Sequence, residues 1–329
     1  MTTLGEERRP IVDRPSPAPM TLAADVREGL SRSPKELAPK YFYDERGSEL
    51  FDLITTLPEY YPTRCERAIL NRHAPEIVAG MEELVELGSG TASKTRALLY
   101  AMAGAGSLRR YVPFDVDGSV VALCEEELTE LYPGLAVHGV VGDFEHDLGR
   151  IPAGERRLFA FLGGTIGNFH AAERADFLTR VRALMDSTDR LVLGTDLVKD
   201  RATLEAAYDD GEGVTAEFNR NVLRVLNEAL GADFDPDSFD HVARWVEESS
   251  RIEMLLRSVR EQTISIPGAD LEVSFAEGEE MRTEISTKFT PARIEAELGE
   301  AGLALEGLLT DPDGLFAVSV ATPQQHPHR

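Results

Sequence analysis

The feature that most constrains the fold is a series of short apolar runs separated by stretches of helical periodicity. Each run is followed by glycine or aspartate, and the runs lie at 84–87, 111–114, 136–141, 158–162 and 191–193. Apolar runs of this length between helices are typical of parallel strands that are buried on both faces. The alternation therefore predicts an α/β fold with a doubly wound, Rossmann-like sheet, in which ligands bind at the carboxyl ends of the strands.

The alternation is interrupted after residue 196 and resumes near residue 288. Thr290 and Pro291 there predict the start of a helix, and we expect the two apolar runs after it to rejoin the sheet. The intervening segment predicts an inserted α+β lobe. The predicted boundaries are a flexible tail at 1–20, a discontinuous sheet domain at 65–196 plus 288–322, and a second domain at 21–64 plus 197–287.

The overall composition indicates which kinds of binding partner and which compartment suit the protein. A net charge of −24 disfavours nucleic acid and anionic membrane surfaces. No apolar run is long enough to span a membrane. The two cysteines, Cys65 and Cys124, form no Cys-x-x-Cys pair, which fits a reducing compartment. We therefore expect a cytoplasmic monomer without nucleic-acid or membrane partners.

Two helix starts are predicted before the first strand of the sheet. Ser48 is placed to cap a helix whose apolar positions lie within 50–57. The segment 63–66, which reads Thr-Arg-Cys-Glu, has the spacing of a capping box for the next helix.

Polar or aromatic residues follow each of the first three predicted strands. Gly88-Ser89-Gly90 comes after the first strand, Asp115 after the second and Asp143-Phe144 after the third. Glycine allows close approach to a ligand, a carboxylate can accept hydrogen bonds from a ribose diol, and an aromatic ring can stack on adenine. Taken singly, each is as well explained by a turn, a solvated carboxylate or a helix cap. Together they predict a nucleoside site.

Lys94 extends this site, because it could reach the carboxylate of a nucleoside that carries an amino acid; a surface lysine is the commoner outcome. S-adenosylmethionine would use all of these features. The third glycine of a dinucleotide fingerprint and the lysine–serine/threonine pair of a P-loop are both missing, which argues against NAD and ATP. The histidines form no helical His-x-x-x-His pair, so we expect no metal.

Longer motifs carry a specific family resemblance. They lie at 40–44, 47–52, 57–64, 86–91, 113–117, 161–168, 193–200, 207–210, 218–221 and 278–286. In these segments the chain closely resembles the histidine Nα-methyltransferases of ergothioneine biosynthesis, over residues 34–320. The resemblance implies a class I methyltransferase sheet with an inserted substrate-binding lobe, and S-adenosylmethionine as methyl donor. It further implies transfer of three methyl groups to the α-amino group of L-histidine, giving hercynine (Nα,Nα,Nα-trimethylhistidine), the first step of ergothioneine biosynthesis.

The resemblance also implies roles for individual residues. The methyl donor would be bound by Gly88, Lys94, Asp115, Asp143, Phe144 and Tyr60. The amino-acid end of histidine would be held by Tyr60, Asn168 and Tyr208, with Tyr43, Phe51 and Gly163 nearby. The imidazole would be gripped by Glu284 and Ser286, and Met254 would line its pocket. The residues expected to be catalytic are Asn168, Tyr43 and Tyr208.

The pair Glu284 and Ser286 also makes physical sense without the resemblance. Residues two apart on a strand point to the same face. A carboxylate and a hydroxyl side by side can bond both nitrogens of an imidazole. The competing explanation is a solvent-facing alternation in an acidic strand.

Two other functions stay open at this point. The same fold could methylate a different amino acid such as tryptophan, which an apolar residue at position 284 would have favoured. A protein that only senses S-adenosylmethionine or acts as a scaffold would tolerate the loss of Asn168 and Tyr208, yet both are present. For the methyltransferase we expect in-line attack by a neutral amine, with alignment rather than a strong general base supplied by the protein.

Overall fold

The computed structural model describes residues 11–13, 20–90, 92, 94–144 and 146–325. In chain order the strands are β1 (Ile11–Asp13), β2 (Lys35–Glu36), β3 (Glu83–Leu87), β4 (Arg110–Asp115), β5 (Ala136–Val141), β6 (Arg157–Phe161), β7 (Arg190–Asp196), β8 (Phe239–Val246), β9 (Arg251–Ser258), β10 (Gln262–Ile266), β11 (Leu271–Phe275), β12 (Glu280–Thr287), β13 (Leu303–Thr310) and β14 (Phe316–Pro323). The helices are α1 (Met20–Ser31), α2 (Glu45–Ile54), α3 (Tyr61–Ile77), α4 (Arg96–Gly104), α5 (Gly118–Leu131), α6 (Ala171–Leu184), α7 (Arg201–Ala206), α8 (Val214–Leu230) and α9 (Pro291–Glu300).

The larger sheet has the strand order β1-β5-β4-β3-β6-β7-β14-β13. The strands from β1 to β7 in this order are parallel, and β14 runs antiparallel to both β7 and β13. All five apolar runs are therefore strands of one doubly wound sheet, as predicted. The last two apolar runs rejoin it as an antiparallel edge. Thr290 caps α9 as expected, because its hydroxyl accepts a hydrogen bond from the Arg293 N–H.

The second structural unit is built on a four-stranded sheet of order β2-β12-β9-β8, with the hairpin β10-β11 beside it. Its buried apolar side chains come from 26–61 and 204–281. Those around the larger sheet come from 69–197 and 289–321. This separation supports the two predicted domains, which we retain as a proposal. The predicted flexible tail at 1–20 lies mostly outside the described residues.

Both predicted helix starts in the N-terminal part are wrong. The N-cap of α2 is Asp44, whose carboxylate accepts from the Gly47 N–H at 2.7 Å, so the helix begins before Ser48. Helix α3 begins at Tyr61, because Pro62 suits the first turn and extends the helix upstream of the expected capping box at 63–66.

Candidate active site

The carboxyl ends of the central parallel strands face β12 of the lobe across a cavity of about 650 Å³. The structure brings together every residue that the sequence placed in the site. The lining includes Tyr43, Phe51, Tyr60, Gly88, Lys94, Asp115, Asp143, Phe144, Gly163, Asn168, Tyr208, Met254, Glu284 and Ser286. Their individual roles stay predictions, and the local geometry shows what each can do.

Asp115 ends β4 and is held by the backbone around it. One carboxylate oxygen accepts from the Gly90 N–H at 2.9 Å and the other from the Asp117 N–H at 3.0 Å. Each oxygen keeps a further lone pair for a ligand. Burial raises the pKa of this carboxyl, and the backbone N–H groups act against the rise.

Phe144 is fixed by an aromatic cluster beneath the glycine-rich turn. Its ring stacks on Phe114 with centroids 5.5 Å apart and meets the edge of Phe161 at 5.3 Å. Gly88 lies directly beside it, since a Cβ on Gly88 would be 3.5 Å from the Phe144 ring. Asp143, the preceding residue, forms an ion pair with Lys40 at 3.4 Å. Glycine at position 88 therefore lets the turn lie close to the Phe144 ring.

Lys94 crosses the cavity toward Gly163. A Cβ on Gly163 would lie 2.5 Å from the lysine nitrogen, and Gly163 has a φ of +82°, so glycine is favoured there on both grounds. Glu66 lies behind this glycine and accepts from its N–H at 2.7 Å. Burial raises the pKa of Glu66, whereas the Lys94 ammonium lowers it. No motif in the sequence pointed to Glu66 as a residue of the site.

Glu284 is the carboxylate that faces the cavity from β12. It is 8% exposed and lies opposite Met254 in the pairing of β12 with β9. Burial raises the pKa of Glu284 to about 7, against the opposing charge of Lys288. Among the described residues, none donates a hydrogen bond to this carboxylate. Because it lines the cavity, this carboxylate can accept a hydrogen bond from a ligand.

Ser286 belongs to a buried network that the sequence analysis missed. Its hydroxyl accepts from Tyr208 at 2.7 Å and from the ammonium of Lys288 at 2.8 Å. Lys288 in turn forms an ion pair with Asp196 at 2.8 Å. Burial alone would raise the pKa of Asp196, but Lys288 and Lys199 hold it below its ordinary value. Lys288 continues the period-two spacing of 284 and 286, but the spacing alone does not show that this lysine is buried.

Aromatic side chains form one wall of the cavity, between the carboxyl ends of the parallel strands and β12. Ring centroids are 5.7 Å apart for Tyr43 and Phe51, 6.2 Å for Phe51 and Tyr60, and 6.3 Å for Tyr60 and Tyr208. Burial raises the pKa of the Tyr43 and Tyr60 phenols well above the ordinary value, so both hydroxyls remain protonated donors.

Asn168 ends the short helical turn Thr165–Asn168 that follows β6. Gly167 lets this turn approach the lobe closely, because a Cβ there would lie 2.8 Å from the Thr287 carbonyl oxygen. The turn Thr165–Asn168 and strand β12 are therefore in direct contact beside Ser286.

Within the part of the chain that the structure describes, the helices are all too short or too polar to cross a membrane. In the same ranges, no group of three or more His, Cys, Asp or Glu side chains is arranged to hold a metal ion.

Comparison with known proteins adds independent information. A family model described as histidine-specific, SAM-dependent methyltransferase matches residues 22–323. Two relatives are named histidine N-alpha-methyltransferase: that of Mycolicibacterium smegmatis is 54% identical over 302 residues, and that of Mycobacterium tuberculosis 53% over 304. These alignments cover 91% and 92% of this chain and 94% and 95% of the relatives. Ergothioneine biosynthesis protein 1 of Neurospora crassa is 33% identical over 207 residues, which is 60% of this chain and 23% of that protein.

Proposed function

Because the chain belongs to the histidine-specific, S-adenosylmethionine-dependent methyltransferases, we propose that it transfers three methyl groups to the α-amino group of L-histidine. The product is hercynine, and the reaction is the first step of ergothioneine biosynthesis, in keeping with the names of the relatives. The observation that carries the proposal is Glu284, a buried carboxylate beside Ser286 with no donor of its own among the described residues.

The residues at the ends of β3, β4 and β5 fit S-adenosylmethionine, which supplies an activated methyl group on its sulfonium. Asp115 offers its remaining lone pairs to the ribose diol. Lys94 offers a cation to the carboxylate of the donor, and Gly88 leaves room for the close approach of its backbone. Asp143 and Phe144 suit the adenine, as an acceptor for the exocyclic amine and a ring beside the base.

The lobe side of the cavity fits histidine. Glu284 accepts an imidazole N–H, Ser286 bonds the other ring nitrogen, and Met254 packs on the ring. Tyr60 and Asn168 hold the amino-acid end, and Tyr60 also borders the methyl donor. The Tyr208 hydroxyl is bonded to Ser286, so Tyr208 supports the imidazole side as well as the amino-acid end.

The transfer forms an N–C bond as the S–C bond breaks, and the amine loses one proton to water in each round. The attacking amine must be neutral, and neutral partners such as Asn168 and the phenols of Tyr43 and Tyr60 suit it better than a carboxylate. Because the donor is already activated, the protein chiefly supplies alignment. Its contribution therefore lies in holding two ligands in line.

The hydrogen bonds to the imidazole explain how three methyl transfers can follow one another. Each methyl group removes an N–H, so hydrogen bonds to the amine change from round to round while those to the ring persist. The quaternary nitrogen has no lone pair, and the chemistry ends there. The faces of Phe51 and Tyr60 can stabilise its positive charge through cation–π contact.

The test uses purified protein, an isotopically labelled methyl donor and a panel of amino acids, with the products read by mass spectrometry. Three methyl groups on histidine alone support the proposal. Transfer to tryptophan instead would favour an enzyme for another amino acid. An absence of transfer to any member of the panel would favour a sensor.

We also propose that the protein is a cytoplasmic monomer that acts on small molecules, without nucleic-acid or membrane partners. The net charge of −24 supports this by repelling phosphate and other copies of the chain. Cys65 and Cys124 both carry free thiols, which suits a reducing compartment. Light scattering of the purified protein at micromolar concentration checks the monomer.

A further inference from the structure

Lys288 is a fully buried lysine to which the proposed reaction gives no role. Its side chain is 0% exposed. Its ammonium group lies 2.8 Å from a carboxylate oxygen of Asp196, 2.8 Å from the Ser286 hydroxyl and 2.9 Å from the Tyr208 hydroxyl. An ammonium has three N–H donors, and these three oxygens use all of them. The group is therefore held in a single orientation.

The partners of Ser286 determine where its own proton can go. A serine hydroxyl has two acceptor positions and one proton. Tyr208 donates its only hydroxyl proton to Ser286 at 2.7 Å, and Lys288 fills the second acceptor position. The Ser286 proton is left to donate, and Ser286 lines the cavity beside Glu284. This wall of the cavity thus presents one acceptor, Glu284, and one donor, Ser286.

We infer that Lys288 is a positioning residue that fixes Ser286 as a hydrogen-bond donor and so makes the pocket select a neutral imidazole. The ring would turn its N–H to Glu284 and its lone pair to Ser286. An imidazolium carries N–H on both nitrogens and would set one of them against the Ser286 proton. This inference rests on the proposed histidine methylation and specifies which form of the ring is bound.

The test compares histidine with the two L-pyrrolylalanine isomers, which keep one ring N–H and replace the acceptor nitrogen by CH. The ratio of kcat/KM for histidine to that for the better isomer is measured in the wild type and in Lys288→Met. We expect at least about a tenfold preference for histidine in the wild type, because the isomer leaves the Ser286 proton unbonded in a buried site. In Lys288→Met the hydroxyl can turn to other acceptors, and the preference should fall to about threefold or less.

Lys199→Met is the matched control. Lys199 shares Asp196 with Lys288 but donates to Tyr61 instead of Ser286. The Lys199→Met variant should be less stable than the wild type but keep the wild-type ratio of kcat/KM values. In Lys288→Met, Asp196 stays paired with Lys199 and Tyr61; if this variant does not fold, Lys288→Leu serves as a second apolar replacement. Two results would overturn the inference when the wild type methylates histidine. In the first, the Lys288 variants keep the wild-type ratio of kcat/KM values; in the second, Lys199→Met lowers that ratio as much as Lys288→Met does. A wild type that does not methylate histidine would overturn the proposed function itself.

Discussion

Replacing Glu284 by glutamine separates what this carboxylate costs the fold from what it contributes to binding histidine. Burial raises its pKa from 4.5 to about 7, and among the described residues it has no hydrogen-bond donor. A difference of this size between the folded and unfolded protein corresponds to about 3 kcal/mol of lost stability when the carboxyl is ionised.

The sign of the pH dependence follows from the raised pKa of Glu284. The folded protein binds the proton more tightly than the unfolded chain, so stability falls as pH rises from about 4.5 to about 7 and stays low above that. Glu284→Gln has no charge to lose. Its free energy of unfolding should exceed that of the wild type by up to about 3 kcal/mol at pH 8, and by no more than about 1 kcal/mol at pH 5.

Activity should change in the opposite direction. At pH 8 we expect kcat/KM for histidine to fall about 10- to 100-fold in Glu284→Gln, because a charge-assisted hydrogen bond becomes a neutral one. Affinity for the methyl donor should stay the same.

Urea unfolding at pH 5 and pH 8, together with steady-state kinetics, measures both effects. Glu277→Gln is the control, since Glu277 is an exposed glutamate of the same lobe and should change stability by less than about 0.5 kcal/mol. Equal stability of Glu284→Gln and the wild type at pH 8 would refute the view that an unpartnered buried carboxylate sets this pKa. Unchanged histidine turnover would refute the imidazole assignment.

Three further predictions concern the methyl donor and the later rounds. Asp115→Ala should weaken binding of S-adenosylhomocysteine at least about tenfold in calorimetry, because it removes an anchored acceptor; equal affinity would contradict the ribose assignment. Gly163→Ala places a Cβ 2.5 Å from the Lys94 nitrogen and should raise the KM for the donor, whereas Gly80→Ala, with a similar φ but open space, should not. Phe51→Leu should slow the third methyl transfer more than the first, as read from the mass distribution of products; equal slowing would argue against cation–π contact.

The parallel core of this fold was predictable because its signal is local. Each buried strand is a short apolar run, and β3 to β7 appear where those runs lie. Helix starts were less predictable, since more than one nearby residue can serve as a cap. Ser48 has the right chemistry, but Asp44 stands earlier and accepts from the Gly47 N–H. Glu66 has capping-box spacing, but its carboxylate is used 97 positions away at Gly163.

Residues of the site were predictable in two cases: where a polar residue stands at the end of a strand, and where polar residues alternate along a strand. Asp115 illustrates the first case, and the pair Glu284 and Ser286 the second. The Lys288 network was missed because its meaning depends on partners distant in sequence, such as Tyr208, 80 positions away. A lysine two residues after Ser286 looks like a surface residue until the fold buries it against Asp196.

The two halves of the site are positioned by different units, so the alignment of amine and methyl group depends on how those units touch. Several contacts join them beside the ligands. Gly167 packs against the Thr287 backbone, and Lys288, which pairs with Asp196 at the end of β7, also donates to Ser286 of β12. A displacement of about 1 Å in such a reaction can cost about 100-fold in rate. The proposed mechanism uses no strong general base, so little else compensates for misalignment, and we infer that turnover depends on the rigidity of these contacts.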